Sequence, residues 1–280
     1  MDPAPAKPEP AGAKPWPVLA LQEAIEPLLA GFMVEVLPEI DSTNSELMRR
    51  ARQGHPAPLL LLAERQSAGR GRMGRVWHSH TDAQGQQHLA ASLTFSLGLA
   101  LQRRDLSGLS LAVGLALAEA IHPELGLKWP NDLWWQGRKL GGILIETTNQ
   151  GAQRYCVIGV GLNILAPSAA DVRNPAAGVG ELLPELDAAQ LLTQIVPPLL
   201  RALLRFESQG FAPLQQAYSR RDVLRGEALV CSDGRSGTGA GVDVRGALLL
   251  HTAQGVEAVV SDEVRVRPVL PSPVPHPPAA

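Results

Sequence analysis

Gly69-Arg70-Gly71-Arg72-Met73-Gly74 is the stretch on which the fold turns. It has the G-x-G-x-x-G spacing of a dinucleotide-binding turn and follows the apolar run Leu59 to Ala63, so a doubly wound fold has to be weighed first. That fold needs an apolar helix directly after the third glycine, because the helix N-terminus receives the pyrophosphate. Here Gly74 is followed by Arg75-Val76-Trp77-His78-Ser79, which is no such helix. The stretch is not a Walker A loop either, since Lys-Ser/Thr is missing after the last glycine. What remains is a glycine backbone carrying Arg70, Arg72 and Arg75 beside Trp77: guanidinium charge for a phosphate and an aromatic face for a base. Taken alone, a solvated basic loop and a single-stranded nucleic-acid contact stay open beside a nucleotide site. The glycines and like charges predict a loop that is open until an anion neutralises it.

Outward from the loop, hydrophobic periodicity divides the chain. Met1 to Pro17, rich in Pro and Ala, and residues 269–280 are expected to be disordered tails. Between them, 18–221 forms one large domain and 222–268 a small one. Val18 to Ala30 has helical spacing, followed by an extended piece ending near Leu37. Asp41, Ser42 and Thr43 form a polar loop that can cap a helix from Asn44 to Arg52, and Leu59 to Ala63 is a buried strand. Leu89 to Leu97 is a strand and Leu106 to Ile121 an apolar helix. Leu133 to Trp135 and Gly142 to Thr147 pair around a turn at Gln136 to Arg138. Tyr155 to Gly161 is another strand, Ala188 to Phe206 an amphipathic helix. From Gly226 onward, turns at Asp233-Gly234, Arg245-Gly246 and Gln254-Gly255 separate short strands of a small β-barrel.

Composition narrows the function classes. The 280 residues carry 25 Lys and Arg against 27 Asp and Glu, a formal net charge of -2, which offers no global attraction to nucleic acid or an anionic membrane. Cys156 and Cys231 are the only cysteines and form no CxxC pair, which argues against disulfides and structural zinc and fits a reducing cytoplasm. No apolar run reaches the length of a secretory signal or of the roughly 18 residues needed to span a membrane.

Four segments in order resemble the biotin protein ligase family: Asp41-Ser42-Thr43-Asn44, Gln66-Ser67-Ala68-Gly69-Arg70-Gly71-Arg72, Lys128-Trp129-Pro130-Asn131-Asp132 and Arg138-Lys139-Leu140-Gly141-Gly142. Gly159-Val160-Gly161-Leu162-Asn163 extends the match, and with the small C-terminal barrel the resemblance covers roughly Ile40 to Pro268. It implies an α/β (α+β) fold: a mixed sheet with packed helices, class II aminoacyl-tRNA-synthetase-like, followed by an SH3-like barrel. It implies activation of biotin by ATP and Mg²⁺ as biotinoyl-AMP, then transfer to a lysine of the biotin carboxyl carrier protein of acetyl-CoA carboxylase.

Carried over by position, Ser42, Thr43, Asn44 and Gln66 would surround the biotin rings, where hydroxyls and carboxamides suit a ureido group in an apolar pocket. Arg70, Gly71 and Arg72 would close over the valeryl chain and the adenylate phosphate. Lys139 would stand between the biotin carboxylate and the α-phosphate, stabilising charge that develops in the transition state. Lys128, Asn131 and Asp132 would serve ATP, with Asp132 offering oxygen to Mg²⁺. Trp77 would stack on adenine and Asn163 would hydrogen-bond it. Lys139, Arg72 and Lys128 are the catalytic candidates. Asp132 or solvent would deprotonate the incoming amine. Trp129, Trp134 and Trp135 are expected to be core or hairpin packing.

The resemblance departs in two places. About forty residues precede Asp41, too few for the winged helix of the bifunctional members, so no DNA binding is expected; a monomer or weak homodimer is. Ser79 to His88 looks like an insertion, and His78, His80, Asp82 and His88 are expected to be irregular polar chain, not a zinc site. A lipoate ligase shares the fold and the adenylate chemistry, but the polar motifs suit a ureido ring better than a dithiolane.

Overall fold

The computed structural model describes residues 16–78, 91–150, 153–167, 175–260 and 267–268. The elements are α1 (Val18–Ile25), β1 (Met33–Ile40), α2 (Thr43–Arg52), β2 (Leu59–Gln66), β3 (Ser92–Leu101), α3 (Leu109–Ile121), β4 (Gly126–Lys128), β5 (Asp132–Trp135), β6 (Arg138–Gln150), β7 (Gln153–Asn163), α4 (Ala188–Gln209) and α5 (Gln215–Ser219), then β8 (Ala228–Val230), β9 (Ser236–Val242), β10 (Leu248–Thr252), β11 (Gly255–Val259) and β12 (Arg267–Pro268).

The large sheet has seven strands in the order β1-β2-β3-β7-β6-β5-β4. Only β1 and β2 run parallel. This mixed α/β architecture with a small C-terminal β domain is the one expected. Period-2 alternation gives the sheet two unlike faces. Leu93, Phe95 and Leu97 of β3 and Ile158, Val160 and Leu162 of β7 enter the main core beneath α1, α3 and α4. The opposite face carries Leu59, Leu61, Tyr155 and Val157 only where α2 covers it with Leu47, Met48 and Ala51. Beyond α2 that face turns to Thr94, Ser96, Gly159, Gly161 and Asn163, side chains too small or polar to fill a second apolar layer. A pocket results.

α2 begins as its sequence dictates: Ser42 is extended, and its hydroxyl accepts the Ser45 N–H at 3.4 Å. α4 starts on a reciprocal capping box, Gln190 N–H to Asp187 Oδ1 at 2.8 Å and Asp187 N–H to Gln190 Oε1 at 3.0 Å. The C-terminal strands form a five-stranded sheet, β11-β10-β9-β8-β12. Gly234, Gly246 and Gly255 hold positive φ at the three expected turns. This sheet shares the main core through Leu229, Leu248, Leu250 and Val259, and the Trp129 indole N–H donates to the Gly246 carbonyl at 3.0 Å. Near Arg221, the expected domain boundary, the backbone pairs with β4: Leu127 N–H to Arg221 O at 2.7 Å and Val223 N–H to Leu127 O at 3.1 Å.

Three local expectations shift. Trp16, placed in the N-terminal tail, is half-buried and its indole donates to Glu64 at 3.1 Å. α3 starts at Leu109 because Gly108, at φ +78, precedes it in the left-handed region. The Gly69 to Arg75 stretch is an organised turn. Its ends meet through Gly71 N–H to Arg75 O at 2.7 Å and Trp77 N–H to Gly69 O at 2.9 Å, with Met73 and Gly74 at positive φ at the tip. The Ser79 to His88 insertion lies outside the described residues, as do residues 1–15 and 269–280 of the tails.

Candidate active site

The exposed part of the polar sheet face is the floor of a pocket of about 320 Å³, closed at the sides by the start of α2, the arginine turn and the β5–β6 hairpin. The buried polar side chains among the described residues are Ser42, Thr43, Asn44, Gln66, Ser92, Thr94, Ser96 and Asn163. All but Ser92 and Ser96 line this one pocket. Buried polar groups need partners, and here they find one another. Gln66 Oε1 accepts the Thr43 N–H at 2.8 Å and its hydroxyl at 3.1 Å. Ser96 Oγ is 2.7 Å from Thr43 Oγ1 and donates to Asn44 Oδ1 at 2.6 Å. Asn44 Nδ2 donates to the Leu144 carbonyl at 3.2 Å and to Glu146 Oε2 at 3.0 Å.

The glycine motif of β7 explains itself here. A Cβ on Gly159 would collide with Asn44 Oδ1, and one on Gly161 would lie 2.5 Å from the Trp77 indole. Both side chains therefore rest directly on the β7 backbone. Trp77 Nε1 and Thr94 Oγ1 are buried without a hydrogen-bond partner among the described residues.

The β5–β6 register shifts between Leu133 and Trp134, which face Gly141 and Lys139 respectively. The extra residue, Leu140, goes to the core. Lys139 and Gly142, three apart, thus both line the pocket. Gly142 leaves room for the ammonium, since a Cβ there would be 3.2 Å from Lys139 Nζ. Lys139 Nζ bonds Asp132 Oδ1 at 2.7 Å. Across the pocket, Arg70 pairs with Glu146 at 3.1 Å, and Arg72 reaches Asn131 Oδ1 at 3.4 Å. Asn131 Nδ2 donates to the Ile143 carbonyl at 2.8 Å, which leaves its Oδ1 facing the arginine.

Of the candidates named from sequence, Ser42, Thr43, Asn44, Gln66, Arg70, Gly71, Arg72, Trp77, Asn131, Asp132, Lys139 and Asn163 all line the pocket. Asn163 Nδ2 is turned to the carbonyls of Ala177 at 3.1 Å and Lys139 at 3.4 Å, so it braces the wall. Lys128 is not among the lining residues; its ammonium stands 4.1 Å over the Trp134 ring. Trp134, expected to be mere packing, is itself a pocket wall, while Trp129 is buried as expected. Thr94, Ser96 and Glu146 were not singled out by their sequence. The signal was the alternation Ser92-Leu93-Thr94-Phe95-Ser96-Leu97, which sets a polar face against an apolar one. Among the described residues no three His, Cys, Asp or Glu side chains gather to hold a metal.

Residues 36–163 match the Biotin/lipoate A/B protein ligase family. The Bifunctional ligase/repressor BirA of Escherichia coli is 34% identical over 251 residues, covering 85% of this chain and 75% of that protein. The Biotin--[acetyl-CoA-carboxylase] ligase of Paracoccus denitrificans is 32% identical over 247 residues, 82% of this chain and 98% of that one. In fold, the chain is similar to the biotin protein ligase from Aquifex aeolicus solved in complex with biotin and ATP. The TM-score is 0.71 at 24% identity, over 84% of this chain and 99% of the other.

Proposed function

The chain belongs to the biotin protein ligase family, and from that premise we infer that it activates biotin with ATP as biotinoyl-AMP and transfers the biotinyl group to the carboxyl carrier protein of acetyl-CoA carboxylase. The observation that carries this is the convergence of the buried polar side chains on one pocket. A donor and acceptor network on an otherwise apolar floor suits a ureido ring with its carbonyl and two N–H groups.

Lys139 and Asp132 stabilise the adenylation step. The biotin carboxylate attacks the α-phosphate of ATP and pyrophosphate leaves; two anions must approach, and the Lys139 ammonium lowers their repulsion. In the free protein Asp132 holds that ammonium at 2.7 Å, so it is positioned before substrate arrives. The oxygen donors of Asp132 and Asn131 fit a hard cation, and these two side chains would hold a Mg²⁺ brought in with the nucleotide. When bound, Mg²⁺ would neutralise phosphate charge. Arg72 holds the adenylate phosphate, Trp77 takes the adenine with its indole, and Lys128, seated on Trp134, serves the distal phosphates. In the second step the carrier lysine attacks the anhydride carbonyl and AMP leaves.

The test is biotin-dependent exchange of labelled pyrophosphate into ATP. Wild type should exchange, and Lys139→Ala should lose on the order of a hundredfold in rate, ~3 kcal/mol, while staying folded. Equal exchange with lipoate in place of biotin, or near-normal exchange by a folded Lys139→Ala, would sink these assignments.

We also place this chain outside transcriptional repression, because its formal net charge of -2 offers no global attraction to DNA. A sequence-specific gel shift that persists at high salt would refute that. Among the described residues no helix is long and apolar enough to cross a membrane. Both cysteines are free, the observation behind our proposal of a reducing cytoplasm, and burial pushes the Cys156 thiol up to about 11. Monomer or weak dimer is the assembly we expect, measurable by sedimentation.

A further inference from the structure

We propose that Glu146, which does not itself line the pocket, is a positioning residue that fixes the hydrogen-bond polarity of the pocket floor; the inference rests on biotin as ligand. Its carboxylate sits beside the floor, on the same face of β6 as Gly142 and Leu144, and one of its oxygens takes the Asn44 Nδ2 at 3.0 Å. An ionised carboxylate only accepts, so the amide end of Asn44 must face it. The second Nδ2 hydrogen goes to the Leu144 carbonyl at 3.2 Å. Both donors of Asn44 are thereby committed to the protein.

The consequence travels along the network. With Nδ2 held, Asn44 Oδ1 faces Ser96 and takes its single hydroxyl proton at 2.6 Å. The same hydroxyl stands 2.7 Å from Thr43 Oγ1, whose own proton goes to Gln66 Oε1. The sole capacity Asn44 retains toward the pocket is a lone pair on Oδ1, an acceptor suited to a ureido N–H. Were the carboxamide reversed, it would present a second donor to a ligand group that is also a donor. Glu146 is the member of this network whose hydrogen-bonding sense is set by charge, and it sets the sense of Asn44 and, through Asn44, of Ser96.

The same carboxylate also holds the arginine turn. Its two oxygens receive the two terminal nitrogens of Arg70 at 3.1 and 3.2 Å. One side chain thus couples the orientation of the floor to the placement of the turn above it.

The experiment uses the full chain and pyrophosphate exchange, measuring KM for biotin and for ATP separately with the melting temperature of each variant. Glu146→Gln is nearly isosteric but can donate, which permits the Asn44 amide to reverse. It should raise the KM for biotin on the order of tenfold, the effect of one misplaced hydrogen bond, with the KM for ATP rising far less and the melting temperature near wild type. Glu146→Asp keeps the charge and should recover part of the biotin KM. Ser96→Ala removes the donor that anchors Asn44 Oδ1 and should raise the biotin KM independently of any folding defect at position 146. An unchanged biotin KM in folded Glu146→Gln, or no recovery in Glu146→Asp, overturns the positioning role. So does a parallel loss of biotin KM, ATP KM and stability, the mark of a merely structural residue. If wild type itself shows no biotin-dependent exchange, the functional reading fails, and this inference with it.

Discussion

Gly161 shows how much a single residue can carry in this pocket. The Trp77 indole lies against its backbone so closely that an added Cβ would sit 2.5 and 2.6 Å from the ring atoms Cε2 and Cζ2. Gly161 is not at positive φ, so backbone conformation does not demand glycine there; the neighbour does. Gly161→Ala must push the ring off the floor. The expected outcome is a KM for ATP raised on the order of tenfold or more, since base stacking on an aromatic ring is worth about 1 to 3 kcal/mol, while far-UV circular dichroism stays that of the wild type. Unchanged ATP affinity would remove Trp77 from the adenine site.

At the scale of elements, α2 has to present Ser42, Thr43 and Asn44 at its first turn, and its outer side is held by ions. Arg49 pairs with Asp41 and Glu46, both at 2.6 Å, and Arg50 with Glu35 at 2.6 Å and Glu46 at 2.7 Å. The Arg50 guanidinium holds the Glu35 carboxyl below its ordinary value, and the Arg49 guanidinium does the same for Asp41. Burial pushes Glu46 up, but the two arginines outweigh it and the net shift is downward. Carboxyls depressed in the folded state contribute stability that is present above their unfolded values and lost as pH falls through the folded ones. The melting temperature should therefore drop between about pH 5 and pH 3, and the biotin KM should rise over the same window as the first turn of α2 loosens. The Arg49→Gln, Arg50→Gln double variant should show a flatter profile there. Several of these groups are half-exposed, so the effect is modest; identical profiles for variant and wild type would show that the cluster contributes nothing.

For the whole molecule, the question is what joins the catalytic sheet to the C-terminal strands. Trp129 opens the β4–β5 loop two positions before Asn131, is 5% exposed, and donates to Gly246 between β9 and β10. It also lines a groove of about 730 Å³ bounded by Arg72 and Met73 on one side and Asp243, Arg245, Gly246 and Ala247 on the other. Removing so large a buried ring typically costs about 3 to 5 kcal/mol. Trp129→Ala should lower the urea midpoint accordingly, and transfer to the carrier should suffer more than pyrophosphate exchange if the groove admits the carrier lysine. A loss under about 1 kcal/mol would mean that the C-terminal sheet docks without Trp129. A boundary near Arg221 remains our proposal for where the two parts divide, although the backbone there is paired to β4.

The sequence by itself determined most of the elements, and most of the motif residues it singled out line one pocket. Local periodicity was enough for α2, β2, the β5–β6 hairpin, α4 and the glycine turns of the C-terminal strands. The ordered motifs named the residues of the pocket because each motif is a contiguous run whose spacing survives folding. Only the tertiary structure decided what stands behind them. Asn44 and Glu146 are 102 positions apart, Asn44 and Ser96 52 apart; alternation along a strand tells which face a residue takes, but not which distant strand or helix lies over that face. Lys128 stands outside the pocket lining and Trp134 forms part of its wall for the same reason. Whether a side chain at a strand end enters a pocket or stops on its outer wall depends on strand pairing, here that of β4 with β5, and on a one-residue bulge at Leu140 that no local pattern announces.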